Sequence, residues 1–223
     1  MKQIQVKKNI LQSNDDLAEK NRVILEEKGV FTINLLGSPG AGKTSVLEQL
    51  IGNMKASTGM AVIEGDLYTT KDAERIEAQG IPVIQVNTGG ACHLDAAMIS
   101  EALHHLDLEK IRFLVIENVG NLVCPASYDL SEDMRITVLS ITEGNDKPLK
   151  YPSMFQRSDV LIVNKMDLIQ FTNFSMEELY RDIRSLNEDM KIFEVSCRTG
   201  EGFYDLCRFL KQSAMNKGGQ KDA

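Results

Sequence analysis

Apolar and polar positions alternate between two regimes along this chain. Short, mainly apolar runs recur at 31–36, 60–64, 81–86, 112–117, 135–141, 159–163 and 191–195. Phe113-Leu114-Val115-Ile116 and Val160-Leu161-Ile162-Val163 are continuous, which suits strands buried on both faces of a mostly parallel sheet. Between the runs lie stretches of helical character at 44–56, 70–79, 94–106, 175–188 and 202–215. Repeated strand–helix alternation predicts a doubly wound α/β domain, its mostly parallel sheet flanked by helices. Ahead of it, residues 14–29 predict one amphipathic helix. Leu17, Val23, Ile24 and Leu25 supply its apolar positions, Asn14 a cap, Asp15 and Asp16 an acidic first turn, and Gly29 follows its end. The expected division is an N-terminal helical extension (1–30), a core domain (31–215) and a flexible tail (216–223).

The first strand and the first core helix are joined by Gly37, Ser38, Pro39, Gly40, Ala41, Gly42, Lys43 and Thr44, the pattern G-x-x-x-x-G-K-[ST]. Glycines let the backbone wrap a polyphosphate with successive N–H groups pointing inward. The helix that continues through Ser45 adds its positive N-terminal end. Lys43 is placed to reach the β- and γ-phosphates, and the Thr44 hydroxyl to ligate Mg²⁺. Strand, glycine loop, helix is the setting this motif requires.

Composition narrows the picture. A chain of 223 residues with 43% hydrophobic and 26% charged residues fits one compact domain with an ordinary core. A net charge of −7, with no basic face, argues against nucleic acid. No apolar run approaches the roughly 18 residues of a membrane span. The charged stretch from Met1 to Lys8 lacks the apolar segment of a secretory signal. Cys92, Cys124, Cys197 and Cys207 do not form a dense framework, so thiols or metal ligands are expected rather than disulfides, in a cytoplasmic setting.

Asn164-Lys165-Met166-Asp167, at the end of the sixth run, resembles the guanine-specificity motif of GTPases. Guanine presents N1–H and its N2 amine as adjacent donors, and one carboxylate, Asp167, accepts both. Adenine lacks that pair and would leave the carboxylate unsatisfied. The Lys165 stem can lie over the base plane, and Asn164 can brace the loop. Ser196-Cys197-Arg198-Thr199-Gly200 resembles the GTPase loop that offers N–H groups to guanine O6, with Cys197 where a small residue is common.

Glu117-Asn118-Val119-Gly120 follows the fourth run and is similar to the switch of a class of dimerising NTPases. Glu117 is a candidate Mg²⁺ ligand, and the Gly120 N–H a sensor of the γ-phosphate. Asp66 and Asp72, after the second run, are candidates for metal or water orientation, with helix capping the alternative, above all for Asp72. Cys92-His93 and Cys124-Pro125 offer ligands suited to Zn²⁺ or Ni²⁺. Their spacing is no local finger pattern, and three ligands leave a tetrahedron incomplete, so packing remains the other reading.

Taken together, the phosphate loop, Cys92-His93-Leu94, Glu117 to Pro125, Asp146-Lys147-Pro148-Leu149-Lys150-Tyr151-Pro152 and Asn164-Lys165-Met166-Asp167 closely resemble the HypB family. Those are GTPase accessory proteins for nickel insertion into [NiFe]-hydrogenase. The resemblance covers about residues 14–215 and makes 31–215 a G domain of the P-loop NTPase fold. It implies GTP hydrolysis with Mg²⁺, a homodimer favoured by GTP, and a Zn²⁺ or Ni²⁺ site of Cys92, His93 and Cys124 at the dimer interface. It implies further that Lys150, or less so Lys147, reaches the γ-phosphate across that interface. The implied partners are a HypA-type nickel metallochaperone and, indirectly, the hydrogenase large subunit. Residues 1–30 contain neither Cys nor His, so the separate N-terminal nickel motif of some members is not expected. No glutamine in the switch is placed to position water, so basal turnover is expected to be slow. A urease-type nickel GTPase, a P-loop small-molecule kinase and a non-enzymatic metal carrier are the competing readings.

Overall fold

The seven apolar runs form seven strands of one parallel sheet: β1 (Phe31–Gly37), β2 (Met60–Asp66), β3 (Val83–Asn87), β4 (Phe113–Glu117), β5 (Met134–Ser140), β6 (Val160–Asn164) and β7 (Lys191–Glu194). Their order is β3-β2-β4-β1-β5-β6-β7. The chain is described at residues 6–66 and 70–219 of a computed structural model. Eight helices cover the sheet among the described residues: α1 (Val6–Glu27), α2 (Lys43–Met54), α3 (Lys71–Glu77), α4 (Ala96–His104), α5 (Lys147–Lys150), α6 (Pro152–Gln156), α7 (Met176–Leu186) and α8 (Phe203–Gly219). The period of two along each strand sorts the core onto two faces. Ile33 and Leu35 of β1, with Val62, Val115 and Ile162, pack under α2 and α8. Ala61, Ile63, Leu114 and Ile116 pack with Leu25 of α1 and Ile99 of α4 on the other face. Leu36, Leu161 and Val163 continue that face under α6 and α7. Every strand is parallel, so all carboxyl ends lie along one edge, where ligands of open α/β sheets bind.

Helix ends depart from the sequence expectation in ways with local causes. The first helix starts at Val6, not at Asn14. Residues 7–13 hold neither Gly nor Pro to stop it, and Asn14 serves tertiary structure instead of capping. Asn14 Oδ1 accepts from the Ala96 N–H at 2.8 Å, while its Nδ2 donates to the Asp129 carbonyl at 2.9 Å. Deeper in the same interface, Asn21 Nδ2 donates to the Ala96 carbonyl at 2.9 Å. The fourth helix starts at Ala96 rather than Leu94, capped by Asp95, which accepts from the Met98 N–H. Cys92 and His93 therefore sit on a loop. The last helix runs to Gly219, through residues expected to belong to a flexible tail. Lys217 Nζ pins that turn, donating to the Val30 carbonyl at 3.1 Å and pairing with Asp133 at 2.6 Å. The rest of the expected tail, 220–223, lies outside the described residues. Helices α5 and α6 escaped the periodicity because each is about one turn long, with a proline near its start.

Replacing Asn14 by Ala strands the Ala96 N–H in a buried interface. The expected cost is about 1–3 kcal/mol of unfolding free energy, read from urea titrations of wild type and variant.

Candidate functional site

The phosphate loop closes against the end of β1. Gly37 has φ 149°, and a Cβ there would lie 2.5 Å from the Val138 carbonyl oxygen of β5. Gly42, at the N-terminus of α2, has φ 97° and lies so close to Asn164 Nδ2 that a side chain has no room. Lys43 is buried, with Nζ donating at 3.4 Å to the Gly37 and Ser38 carbonyls. Burial lowers its pKa, against the raising influence of Glu117, Asp72 and Glu143. Ser38 Oγ donates to Glu143 at 2.5 Å. The loop opens onto a cleft of about 380 Å³ lined by Pro39, Gly40, Gly42 to Ser45, Glu64 to Asp66, Asp72, Arg75 and Glu117 to Gly120.

Two carboxylates stand side by side in this cleft. Glu64 of β2 and Glu117 of β4 are register partners, 2% and 4% exposed. Thr44 Oγ1 donates to Glu117 Oε1 at 2.7 Å, but Oε2 of both glutamates is buried with no hydrogen-bond partner. Burial first, then the charges of Glu117, Asp66 and Asp72, push Glu64 up to about 8. Burial pushes Glu117 up to about 7, although Lys43 and Thr44 pull it down. Asp66 lines the same cleft. Asp72 does too, tied at 3.0 Å to Arg75, which also pairs with Glu48 at 2.7 Å. A set of hydroxyl and carboxylate oxygens with orphaned buried acceptors fits a hard divalent cation such as Mg²⁺.

Asn164 and Lys165 are clamped onto the phosphate loop. Asn164 Nδ2 donates to the Ala41 carbonyl at 3.0 Å, and Lys165 Nζ to the Gly40 carbonyl at 2.8 Å. Lys165 holds a left-handed backbone, φ 66° and ψ 33°, with its N–H on Asn164 Oδ1 at 2.7 Å. Ser196 Oγ donates to Asp167 Oδ1 at 2.6 Å, and Arg198 lies 3.7 Å from Oδ2. Cys197 Sγ contacts Asn164 Oδ1 at 3.2 Å, its thiol pushed up to about 11 by burial.

Cys92, His93 and Cys124 converge, with potential ligand atoms all within 4.8 Å of one another. Cys92 Sγ lies 3.7 Å from His93 Nδ1, and the His93 ring stacks on Tyr128 at 3.9 Å between centroids. Burial lowers the His93 pKa, which keeps the imidazole neutral and able to ligate. All four cysteines are free. Two thiols and an imidazole from one chain suit Zn²⁺ or Ni²⁺ and leave coordination positions open.

Comparison with known proteins agrees with this geometry. Residues 31–194 match the CobW/HypB/UreG nucleotide-binding domain. The chain is 47% identical over 208 residues to the hydrogenase maturation factor HypB of Escherichia coli K12, covering 93% of this chain and 72% of that one. The chain belongs to the HypB family. A crystal structure of HypB from Helicobacter pylori in complex with nickel superposes with a TM-score of 0.88 at 39% identity, covering 92% of this chain and 96% of that one. HypB from Archaeoglobus fulgidus superposes with a TM-score of 0.86 at 36% identity, over 92% and 100% of the two chains. The fold is thus that of the P-loop NTPases in their HypB form.

Within this HypB-family chain the structure gathers most of the residues singled out from sequence into one edge of the sheet. Lys150 is the exception. It is 63% exposed on α5, paired with Asp146, and lines no part of the phosphate cleft of its own chain. Lys147 instead sits 5.6 Å from the Tyr151 ring centroid. Sequence reasoning missed Glu64, Arg75, Asn118, Glu143 and Tyr128. Glu64 left a signal, a lone charge closing the apolar run Met60-Ala61-Val62-Ile63. The others are ordinary polar or aromatic residues until the fold places them. No helix among the described residues is long and apolar enough to cross a membrane.

The raised Glu64 pKa fixes a sign for pH dependence. The folded protein binds this proton more tightly than the unfolded chain, so its stabilisation is full below the unfolded pKa and is lost as pH rises through about 8. Without nucleotide and Mg²⁺, stability is expected to fall by about 1–2 kcal/mol from pH 6 to pH 8 through this group. Glu64→Gln is expected to flatten that slope in denaturant titrations at the two pH values.

Proposed function

We propose that this protein hydrolyses GTP and uses the nucleotide state to govern a nickel ion on Cys92, His93 and Cys124 during [NiFe]-hydrogenase maturation. The observation that carries the reading is one short segment with a foot in each site. Glu117 bonds Thr44 at the phosphate loop, and seven positions later Cys124 joins the thiol cluster. The nickel-bound relative from Helicobacter pylori supports nickel as the cargo, with zinc the alternative occupant. Asp167, braced by Ser196, supports guanine over adenine, which disfavours the small-molecule kinase reading.

The residues divide the work. The N–H groups of the Gly37–Thr44 loop and the N-terminus of α2, with Ser45, hold the phosphates. Lys43, held near neutral carbonyls, is free to turn its ammonium onto the β- and γ-oxygens and stabilise the charge of phosphoryl transfer. Thr44, Glu117 and Asp66 would hold Mg²⁺, which supplies further charge neutralisation. Asp72, beside Arg75, is placed to orient water. The Gly120 N–H reports the γ-phosphate, and its loss on hydrolysis relaxes the segment leading to Cys124.

Three ligands from two neighbouring loops favour completion by a second copy about a two-fold axis, in a homodimer that also brings Lys150 to the partner's γ-phosphate. Nickel arrives from a HypA-type metallochaperone and passes on towards the hydrogenase large subunit. Free thiols at the cluster suit the reducing cytoplasm.

Lys43→Ala is expected to abolish GTP hydrolysis, measured as released phosphate with Mg²⁺; full turnover in the variant contradicts the assignment. Nickel titrations of the wild type with GDP and with a non-hydrolysable GTP analogue test the coupling. A nucleotide shifts metal binding only through differential affinity for two states, so a difference of about tenfold is expected and equal affinities remove the proposal.

A further inference from the structure

The segment from Glu117 to Cys124 needs a physical link to the phosphate loop that a nucleotide can alter. Gly37, the first residue of that loop, provides one end. Its carbonyl oxygen accepts from Lys43 Nζ at 3.4 Å and from the Asn121 N–H at 3.1 Å, the latter forming an isolated antiparallel bridge. The carbonyl is poorly free to turn away, because Gly37 is packed against the Val138 carbonyl in a conformation with φ 149°.

Asn121 provides the other end. Its Nδ2 donates to the Cys92 carbonyl at 3.3 Å. Its Oδ1 accepts from the Val123 N–H at 2.8 Å, one residue before Cys124. One asparagine therefore touches the phosphate loop through its backbone and both cysteine-bearing loops through its side chain. Gly120, the residue before it, packs against Pro39 of the phosphate loop, where a Cβ would meet the ring at 3.0 Å.

We propose that Asn121 is the positioning residue that transmits the state of the phosphate loop to the nickel cluster. The proposal rests on the coupling put forward above and names the atoms that perform it. The β- and γ-phosphates of GTP together draw Lys43 Nζ off its neutral carbonyls by charge-assisted hydrogen bonds, more fully than the β-phosphate of GDP alone. Lys43 then leaves Gly37, whose carbonyl keeps Asn121 as its donor. The bridge tightens, and the side chain carries that shift to Cys92 and Cys124 together. A rearrangement that moved one cysteine alone would pull the donor set apart. An asparagine bonded to both loops moves them in concert.

Asn121→Ser separates the roles. A serine hydroxyl still accepts from the N–H two residues on, but it is too short to reach the Cys92 carbonyl, and the backbone bridge to Gly37 is untouched. The experiment titrates Ni²⁺ into full-length wild type and N121S, each with Mg²⁺ and either GDP or a non-hydrolysable GTP analogue, following nickel–thiolate absorption. With a wild-type ratio of about tenfold between nucleotide states, the N121S ratio is expected to fall within about twofold of unity. Its nickel affinity without nucleotide, and its GDP affinity without metal, are expected to stay within about threefold of wild type, and its absorption bands to become the same in both nucleotide states.

A wild-type ratio retained in N121S overturns the role of Asn121 and leaves the coupling standing. A wild-type ratio of one overturns both. Should N121S fail to fold, the Asn121 backbone and side-chain amides in ¹⁵N-labelled wild type supply the test. Both must shift on exchange of GDP for the analogue and again on adding Zn²⁺; indifference to either overturns the inference.

Discussion

Glu64 and Glu117 lie next to each other on adjacent parallel strands, almost out of reach of water. Neighbouring strands are about 4.8 Å apart, and two unit charges about 5 Å apart repel by roughly 3 kcal/mol at an effective dielectric near 20. Lys43 offsets part of that, while Arg75 is committed to Glu48 and Asp72. The pair therefore holds a proton or a cation near neutral pH. A polyphosphate would bring more negative charge to the same place, so on the proposed function nucleotide and divalent cation would bind here as a unit. The strand order creates this demand by setting β2 against β4 with Glu64 in register with Glu117.

The thiol cluster is seated on the same strand end by a buried polar network. Asn118, directly after β4, accepts from the Leu94 and Val119 N–H groups and donates to Asn34 of β1. Asn34 donates in turn to Glu132, which Arg135 holds at 2.5 Å. Networks of this kind fix a unique arrangement because an unsatisfied buried member costs so much. From the other side, Asn14 and Asn21 of α1 hold Ala96 at the start of α4, just beyond His93. The helix ahead of the nucleotide core thus helps to set the loop that carries two of the three cluster residues, Cys92 and His93.

The sheet was legible because parallel strands buried on both faces leave continuous apolar runs. The phosphate loop and Asn164 to Asp167 stood out because each is a pattern of consecutive residues, and the fold sets the two against each other. The joining of Cys92-His93 to Cys124 is not local, and spacing alone left it undecided between packing and metal; a resemblance to a family carried it. Asn14 read as a cap because cap and buried-interface asparagines look alike until the partner element is known. Glu64 showed only as a lone charge at the end of an apolar run, since what matters is its register against Glu117, a relation between strands far apart in the chain. Apart from the Asn118 bond to Asn34, the side chains of Asn118 and Asn121 meet backbone carbonyl and N–H groups, which every residue has, so no residue type announces the partner.

The cluster's openness follows from the same geometry. His93 is kept neutral by burial and oriented by the Tyr128 ring, so one donor is ready before metal arrives. The Cys92 thiol is pushed up, first by its hydrogen bond with Cys124 and then by burial, so a metal must displace a proton to bind there. A closed four-thiolate site would hold its ion as a structural element. Three donors on two loops, two of them thiols, would bind an ion that is able to leave. On the proposed function that weakness lies in the right place: the carboxylate edge would answer to the nucleotide, and an exchangeable ion would sit on the loops beside it.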